Sequence, residues 1–249
     1  MLRVSVQGVA ARPRSYVRVA GPDAESYLQR MLSNDVTTGA VVDALLLTAK
    51  SRLIAPVRVW RRGPEDFLLL TEPELGEAVR AHLLRSRFAA RCAIELEPHT
   101  SALVFGEAEG LPGELPGTVE VLDAGLEPSL AEEEVERARI EAGVPAWGKE
   151  LDGSVLPAEA GLDETHVSFT KGCYPGQEPI ARLRHRGHVN RRLRVLEVES
   201  AAPGGEVLWE GRAVGRVTSA VPGLALGYVR TEVPDDAELS VDGATARLH

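Results

Sequence analysis

The sequence predicts an α+β fold that ends in a small antiparallel β-barrel. Three observations carry this. Apolar residues recur at helical spacing in three separate segments, and strand-like runs lie between them. After Arg191 the chain becomes a series of short β-rich runs divided by Gly- and Pro-containing turns, with no helical pattern.

The first helix is expected after Gly21-Pro22, where Ala24, Tyr27, Leu28, Met31 and Leu32 fall on one face. Pro22 and Asp23 suit a helix start, whose first N–H groups lack partners, and Ser33-Asn34-Asp35 suits a turn that ends it. Residues 16–19 and 43–48 flank it as strands, and 53–60 and 66–71 follow. Thr71-Glu72-Pro73-Glu74 has the spacing of a capping box, opening a helix that carries Leu75, Ala78, Val79, His82 and Leu83. Residues 93–96 and 101–105 read as strands, and the Gly-, Pro- and Glu-rich stretch 106–117 as a surface loop. A second capping-box spacing, Ser129 to Glu132, opens a helix with Ala131, Val135, Ala138 and Ala142 on one side, stopped by Gly143 and Pro145. Six barrel strands are expected at 193–198, 207–209, 213–218, 224–229, 239–241 and 244–248, with Asp242-Gly243 as a tight hairpin turn.

At 249 residues the chain can bury a sizeable core, and its 44% hydrophobic and 26% charged content is ordinary globular usage. The opening residues lack the apolar core of a signal peptide, and no run reaches the ~20 apolar residues of a membrane helix. A soluble, cytoplasmic protein starting at or near Met1 is expected. Two cysteines, Cys92 and Cys173, are too few for a disulfide framework or a four-cysteine cluster within one chain. The net charge of −9 argues against a general nucleic-acid binder. Between Lys171 and Arg194, however, seven basic residues face a single acid, Glu178.

The densest chemistry lies in Phe169-Thr-Lys-Gly-Cys-Tyr-Pro-Gly-Gln-Glu-Pro-Ile-Ala-Arg182. Gly172 and Gly176 let the backbone turn tightly beside a ligand. Lys171 and Arg182 would favour the thiolate of Cys173, the nucleophilic and metal-binding form, if the thiol is exposed. A small buried hydrophobe is the alternative for Cys173, and it is the expectation for Cys92.

Lys171-Gly-Cys-Tyr-Pro-Gly-Gln-Glu178, followed by Arg182, closely resembles the KGCYxGQE signature of the YgfZ family, folate-binding relatives of the glycine-cleavage T-protein. Further stretches resemble the same family: Tyr27-Leu28-Gln29 with Leu32-Ser33-Asn34-Asp35, Arg139-Ile-Glu-Ala-Gly-Val-Pro145, Leu156-Pro157-Ala158-Glu159, Arg191-Arg192-Leu193 and Val214-Gly215-Arg216-Val217-Thr218-Ser219. The resemblance implies a three-lobed aminomethyltransferase-like fold. Its folate-binding α+β part would span 1–187, with 42–125 as an inserted subdomain, and its barrel 188–249. It implies tetrahydrofolate or another reduced folate in a central channel. It also implies a role in assembling or repairing iron–sulfur proteins, with indirect effects on tRNA modification, so iron–sulfur client or assembly proteins are expected partners. By resemblance Cys173 is the functional thiol, with Lys171 beside it. Tyr174, Gly176, Gln177, Glu178 and Arg182 complete the defining site, and Asn34, Asp35 and Glu159 are channel residues. One departure stands out: where the T-protein carries adjacent aspartates, this chain has Ala55-Pro56. Aminomethyl transfer would lose its acid–base group there, so a one-carbon transferase needs another carboxylate in the channel.

The strip from Arg182 to Arg194 is open to three readings: a weak RNA contact, a site for the glutamate tail of folate, or pairing with acidic neighbours in the fold. No aromatics are interleaved for base stacking. His185 and His188 lack an evident third ligand, and no metal site is expected. Asp163-Glu164 reads as a turn or helix start.

Overall fold

A computed structural model describes residues 7–249; the opening segment read above as lacking a leader core lies in part outside them, at 1–6. In chain order the elements are β1 (Gly8–Ala11), β2 (Ser15–Ala20), α1 (Ala24–Met31), β3 (Val41–Leu47), β4 (Leu53–Gly63), β5 (Asp66–Thr71), α2 (Gly76–Ser86), β6 (Ala93–Leu96), β7 (Ser101–Phe105), β8 (Leu111–Pro112) and β9 (Thr118–Leu122). They continue with α3 (Glu132–Glu141), α4 (Leu162–Thr165), α5 (Gln177–Arg186), β10 (Arg191–Val198), β11 (Glu206–Trp209), β12 (Arg212–Val221), β13 (Gly223–Arg230), β14 (Glu238–Val241) and β15 (Ala244–Leu248).

Strands β3-β4-β5-β2-β6 form an antiparallel sheet. Side chains alternate across it. Ala44, Leu46, Ala55, Val57, Val59, Phe67 and Leu69 point to one face, where Tyr27, Leu28 and Met31 of α1 and Val79 and Leu83 of α2 cover them. Leu45, Leu47 and Leu53 point the other way, into a cluster with Leu151, Leu162, Tyr174 and Ile180, and Leu68 and Leu70 pack in a separate cluster with Tyr16, Leu111 and Leu122. A sheet covered on both faces explains why 66–71 reads as a continuous apolar run.

A second sheet, β1-β7-β9-β8, packs Ala10, Leu103 and Phe105 against Leu115 and against Val135 and Ala138 of α3. Between the sheets lies a buried ionic network. Glu120 is fully buried and accepts from Arg14 Nε at 2.5 Å, and its other oxygen is 3.5 Å from Arg58 Nη1. Arg12 and Arg14 both reach Glu114, and Arg12 also pairs with Glu72.

The last six strands close into a barrel of order β10-β13-β12-β11-β14-β15, in which Leu196 of the first pairs with Leu248 of the last. Both residues of the β14–β15 turn have positive φ, 51° at Asp242 and 85° at Gly243, as the twist of a two-residue hairpin demands. A staple joins α3 to the barrel: Arg139 donates to Glu136, to the buried Glu150 and to Ser219 Oγ on β12, which in turn donates to Glu150 at 2.6 Å.

Both capping-box expectations are corrected. Thr71 belongs to β5 and gives its hydroxyl to Pro56 O at 2.8 Å across the sheet. Ser129 instead receives Val9 N–H at 2.9 Å, and it is Glu134 that reaches back to Ala131 N–H. Within 106–117 the chain forms β8 and buries Leu115, so that stretch is not simply a surface loop.

Candidate functional site

The turn that ends α1 is the hub of the site. Ser33 Oγ donates to His166 O at 2.6 Å and accepts from Leu45 N at 2.8 Å. Asn34 Nδ2 donates to Asp43 O at 2.8 Å and to Thr165 O at 3.1 Å, so one amide pins the start of β3 to the end of α4. Asp35 turns inward on its own loop, accepting from Thr37 N, Thr37 Oγ1 and Gln29 Nε2, and the Thr37 hydroxyl leads the bonds that hold its carboxyl below the usual range. Asn34 and Asp35 therefore build the turn.

The segment after α4 comes back onto this turn. Lys171 is buried, and its Nζ donates to Leu32 O at 2.7 Å and Asn34 O at 2.8 Å, carbonyls of the turn that follows α1. Burial pulls its ammonium down to about 8, with Asp35 opposing in part. Tyr174 sits beneath it, the Nζ 5.4 Å from the ring centre, and burial pushes its phenol up to about 12. Gly176 has φ 85°, a conformation that penalises a Cβ, and a Cβ there would lie 2.6 Å from Thr48 O. Its carbonyl accepts from the buried Ser51 Oγ at 2.6 Å, which docks the segment on the β3–β4 connection. Gln177 begins α5, and Glu178 in the first turn is exposed.

Between the braced Lys171 and Tyr174, Cys173 is exposed and its thiol free, whereas Cys92 is buried in the α1–α2 core. Arg182 is exposed on α5. The structure thus brings Lys171, with Tyr174 beneath it, onto the turn built by Asn34 and Asp35, while Gly176 docks on the β3–β4 connection and Cys173 lies exposed between them. Glu159 stands apart: it caps Leu156 N–H and pairs with Arg191 at 3.1 Å in an open cleft with Asn190 and Arg230. Arg191 stacks on Tyr228, Arg194 pairs with Asp235 at 2.8 Å, and Arg184 stacks on Phe169 at 3.9 Å. Much of the basic strip is thereby engaged within the fold.

A cavity of about 420 Å³ lies where the first sheet, the second sheet and β10 meet. Pro56, Leu70, Trp147, Leu151 and Leu193 supply apolar walls; polar groups come from Asp43, Arg58, Thr165 and His166 and from Arg14, Glu72 and Glu114 of the ionic network. Arg58 Nε donates to Asp43 Oδ1 at 2.7 Å. Thr165 Oγ1 is 2.7 Å from His166 Nδ1, and burial lowers the imidazole below its ordinary value. Sequence reasoning singled out none of Asp43, Arg58 and His166. The signal was there: Asp43 and Arg58 each interrupt an otherwise apolar strand.

These sheets, the central cavity and the closed barrel define the class of protein: it has the fold of the glycine-cleavage aminomethyltransferases. Aminomethyltransferase T of Bartonella henselae superposes with a TM-score of 0.79 over 98% of this chain and 86% of its own, at 19% identity. Residues 190–249 match the family model for the CAF17 C-terminal beta-barrel domain. The chain is similar in sequence to proteins named iron–sulfur cluster assembly factor IBA57. It is 24% identical to that of Phaeosphaeria nodorum over 95% of this chain and 73% of the relative, and 26% identical to that of Mus musculus over 88% and 76%. An uncharacterized protein of Haemophilus influenzae is 28% identical over 82% of this chain and 81% of its own length.

Proposed function

We propose that this protein is a YgfZ-type factor that binds a reduced folate in the central cavity and serves the assembly or repair of iron–sulfur proteins through Cys173. The observation that carries the reading is the shared turn 32–35. Lys171, two residues from the exposed thiol, holds its carbonyls, while its Ser33 and Asn34 side chains hold the segments bearing Asp43 and His166. Ligand in the cavity and the state of the Cys173 segment are thereby mechanically joined.

The residues fit the cofactor. The volume falls within the ~300–1,000 Å³ typical of ligand pockets; the apolar walls suit the faces of a heterocycle, and Asp43, Arg58 and His166 can meet its polar edge, whereas Arg14, Glu72 and Glu114 are already paired within the ionic network. Reduced folate would supply a carrier nitrogen for one-carbon units. The chain's own part is to orient it with Asp43, Arg58 and His166 and to shield it with Trp147, Leu151 and Leu193. With Ala55 and Pro56 in β4, no carboxylate from that strand is available for proton transfer. Cys173 offers a thiol to an iron–sulfur client or its assembly machinery as substrate.

Two measurements test this. Calorimetric titration with tetrahydrofolate should show saturable binding, unchanged in Cys173→Ser because the thiol lies outside the cavity. Cells lacking the protein should recover iron–sulfur enzyme activity with wild type and not with Cys173→Ser at equal abundance. Full recovery with Cys173→Ser would remove the thiol from the account.

A further inference from the structure

Strand register places the polar residues of β3 and β4 relative to the cavity. Ala55 points into the helix-covered core and is fully buried, whereas Pro56 faces the cavity. On β3, Leu45 lies opposite Pro56 and Asp43 opposite Arg58. Directly opposed residues share a face, so Asp43 is the diagonal neighbour of Pro56, typically ~7–8 Å away. A carboxylate thus faces the cavity one diagonal step from Pro56.

Its surroundings hold it ready for a ligand. Arg58 Nε occupies Oδ1 alone, the only side-chain bond Asp43 makes among the described residues, and the side chain keeps 34% exposure. Arg58 is itself anchored toward the buried Glu120. The Asp43 backbone is fixed by Asn34, which also fixes Thr165 beside His166. Among the described residues the His166 ring bonds only through Nδ1, with Thr165, and its Nε2 has no partner there. A carboxylate with one oxygen held and the other free accepts further N–H groups without rearrangement.

We propose that Asp43, held by Arg58 and flanked by His166, is the ligand-binding carboxylate of the cavity and receives the amino–amide edge of a reduced pteridine. This rests on the folate reading above and names the residue of this chain that reads the ring. A pteridine presents its 2-amino group and the adjacent ring N–H side by side, and a carboxylate accepts such a pair. The apolar walls from Leu70, Trp147 and Leu193 suit the ring faces.

The test is calorimetry with two probes: tetrahydrofolate, and p-aminobenzoylglutamate, which shares its tail but lacks the ring. Asp43→Asn should weaken tetrahydrofolate by at least about tenfold, the scale of a charged hydrogen bond lost, and leave p-aminobenzoylglutamate unchanged. Asp43→Glu keeps the charge and the pairing with Arg58 but moves the oxygens by one methylene. It should also weaken tetrahydrofolate, and it guards against an Asn variant that fails to fold. Wild-type affinity for tetrahydrofolate in either folded variant would overturn the assignment and reduce Asp43–Arg58 to a cross-strand ion pair. Equal weakening of both probes would overturn it too, since the ring would not be what is read. Absence of tetrahydrofolate binding in wild type would instead remove the folate reading, and this assignment with it.

Discussion

At the scale of single residues, Lys171 works as a strut. Its ammonium spends two donors on the carbonyls of Leu32 and Asn34 in a site that burial makes unfavourable for charge. Lys171→Met should cost roughly 1–3 kcal/mol by leaving those carbonyls without their donor. Because the folded-state value of about 8 lies below the ordinary 10.5, the unfolded chain binds the extra proton between them. The lysine's contribution therefore grows as pH rises from about 8 toward 10.5. Denaturant unfolding at pH 7.5 and 9.5 should show a wider gap between wild type and Lys171→Met at the higher pH; a constant gap would mean that the ammonium is not desolvated. The residue was legible in the sequence, but as a neighbour of the thiol. Its true partners are backbone carbonyls well over a hundred positions earlier, and no local pattern encodes them. Asp43 and His166 escaped for the same reason, since Asn34 brings them together by bonding to main chain in two distant segments.

At the scale of elements, the α3–barrel staple has the most to lose. Glu150 is fully buried and depends on Arg139 and Ser219 for its charge. Arg139→Ala would strand that carboxylate, and roughly 3–5 kcal/mol of destabilisation is the usual scale for a buried charge left unpaired. Urea denaturation should show a clearly lower midpoint, with Ser219→Ala milder at about 1.5–3 kcal/mol, as for one hydrogen bond to a charged group. An Arg139→Ala midpoint within error of wild type would deny the staple any role. Element recognition from sequence succeeded where hydrophobic periodicity was intact, in α1, α2, α3 and the six barrel strands. It failed where the pattern was inverted or sparse. In β9 the inward positions are Thr118 and Glu120, polar residues serving the ionic network, so the alternation reads backwards. In α5 only Ile180 and Leu183 mark an apolar face among arginines and an early proline. The two capping boxes misled because their spacing recurs by chance: Thr71 and Ser129 give their bonding capacity to other strands.

Across the whole molecule, ion pairs join the parts alongside apolar packing. Glu114 lies between Arg12 and Arg14; burial opposes its ionisation, but the two guanidinium charges prevail and hold its carboxyl down at about 2. Glu136, bonded to Arg139 and Lys149, is likewise held at about 2. Both values lie below the ordinary 4.5, so their stabilisation is fully present above that pH and is lost as pH falls toward 2. Thermal melts should therefore hold their midpoint from pH 7 to 5 and fall steeply between about 4.5 and 2. A midpoint that stays level to pH 2 would show that these junctions contribute nothing.

The closed barrel has a further consequence during synthesis. The five-stranded sheet has all its strands once residue 96 has left the ribosome, but β10 cannot meet β15 until Leu248 has been added. Domains fold from the N-terminal side as they emerge. Until closure the cavity lacks a settled Leu193 wall and Glu150 lacks its Ser219 partner. A nascent chain would therefore hold a formed sheet beside an unfinished pocket, and only full translation would turn the pocket into a site.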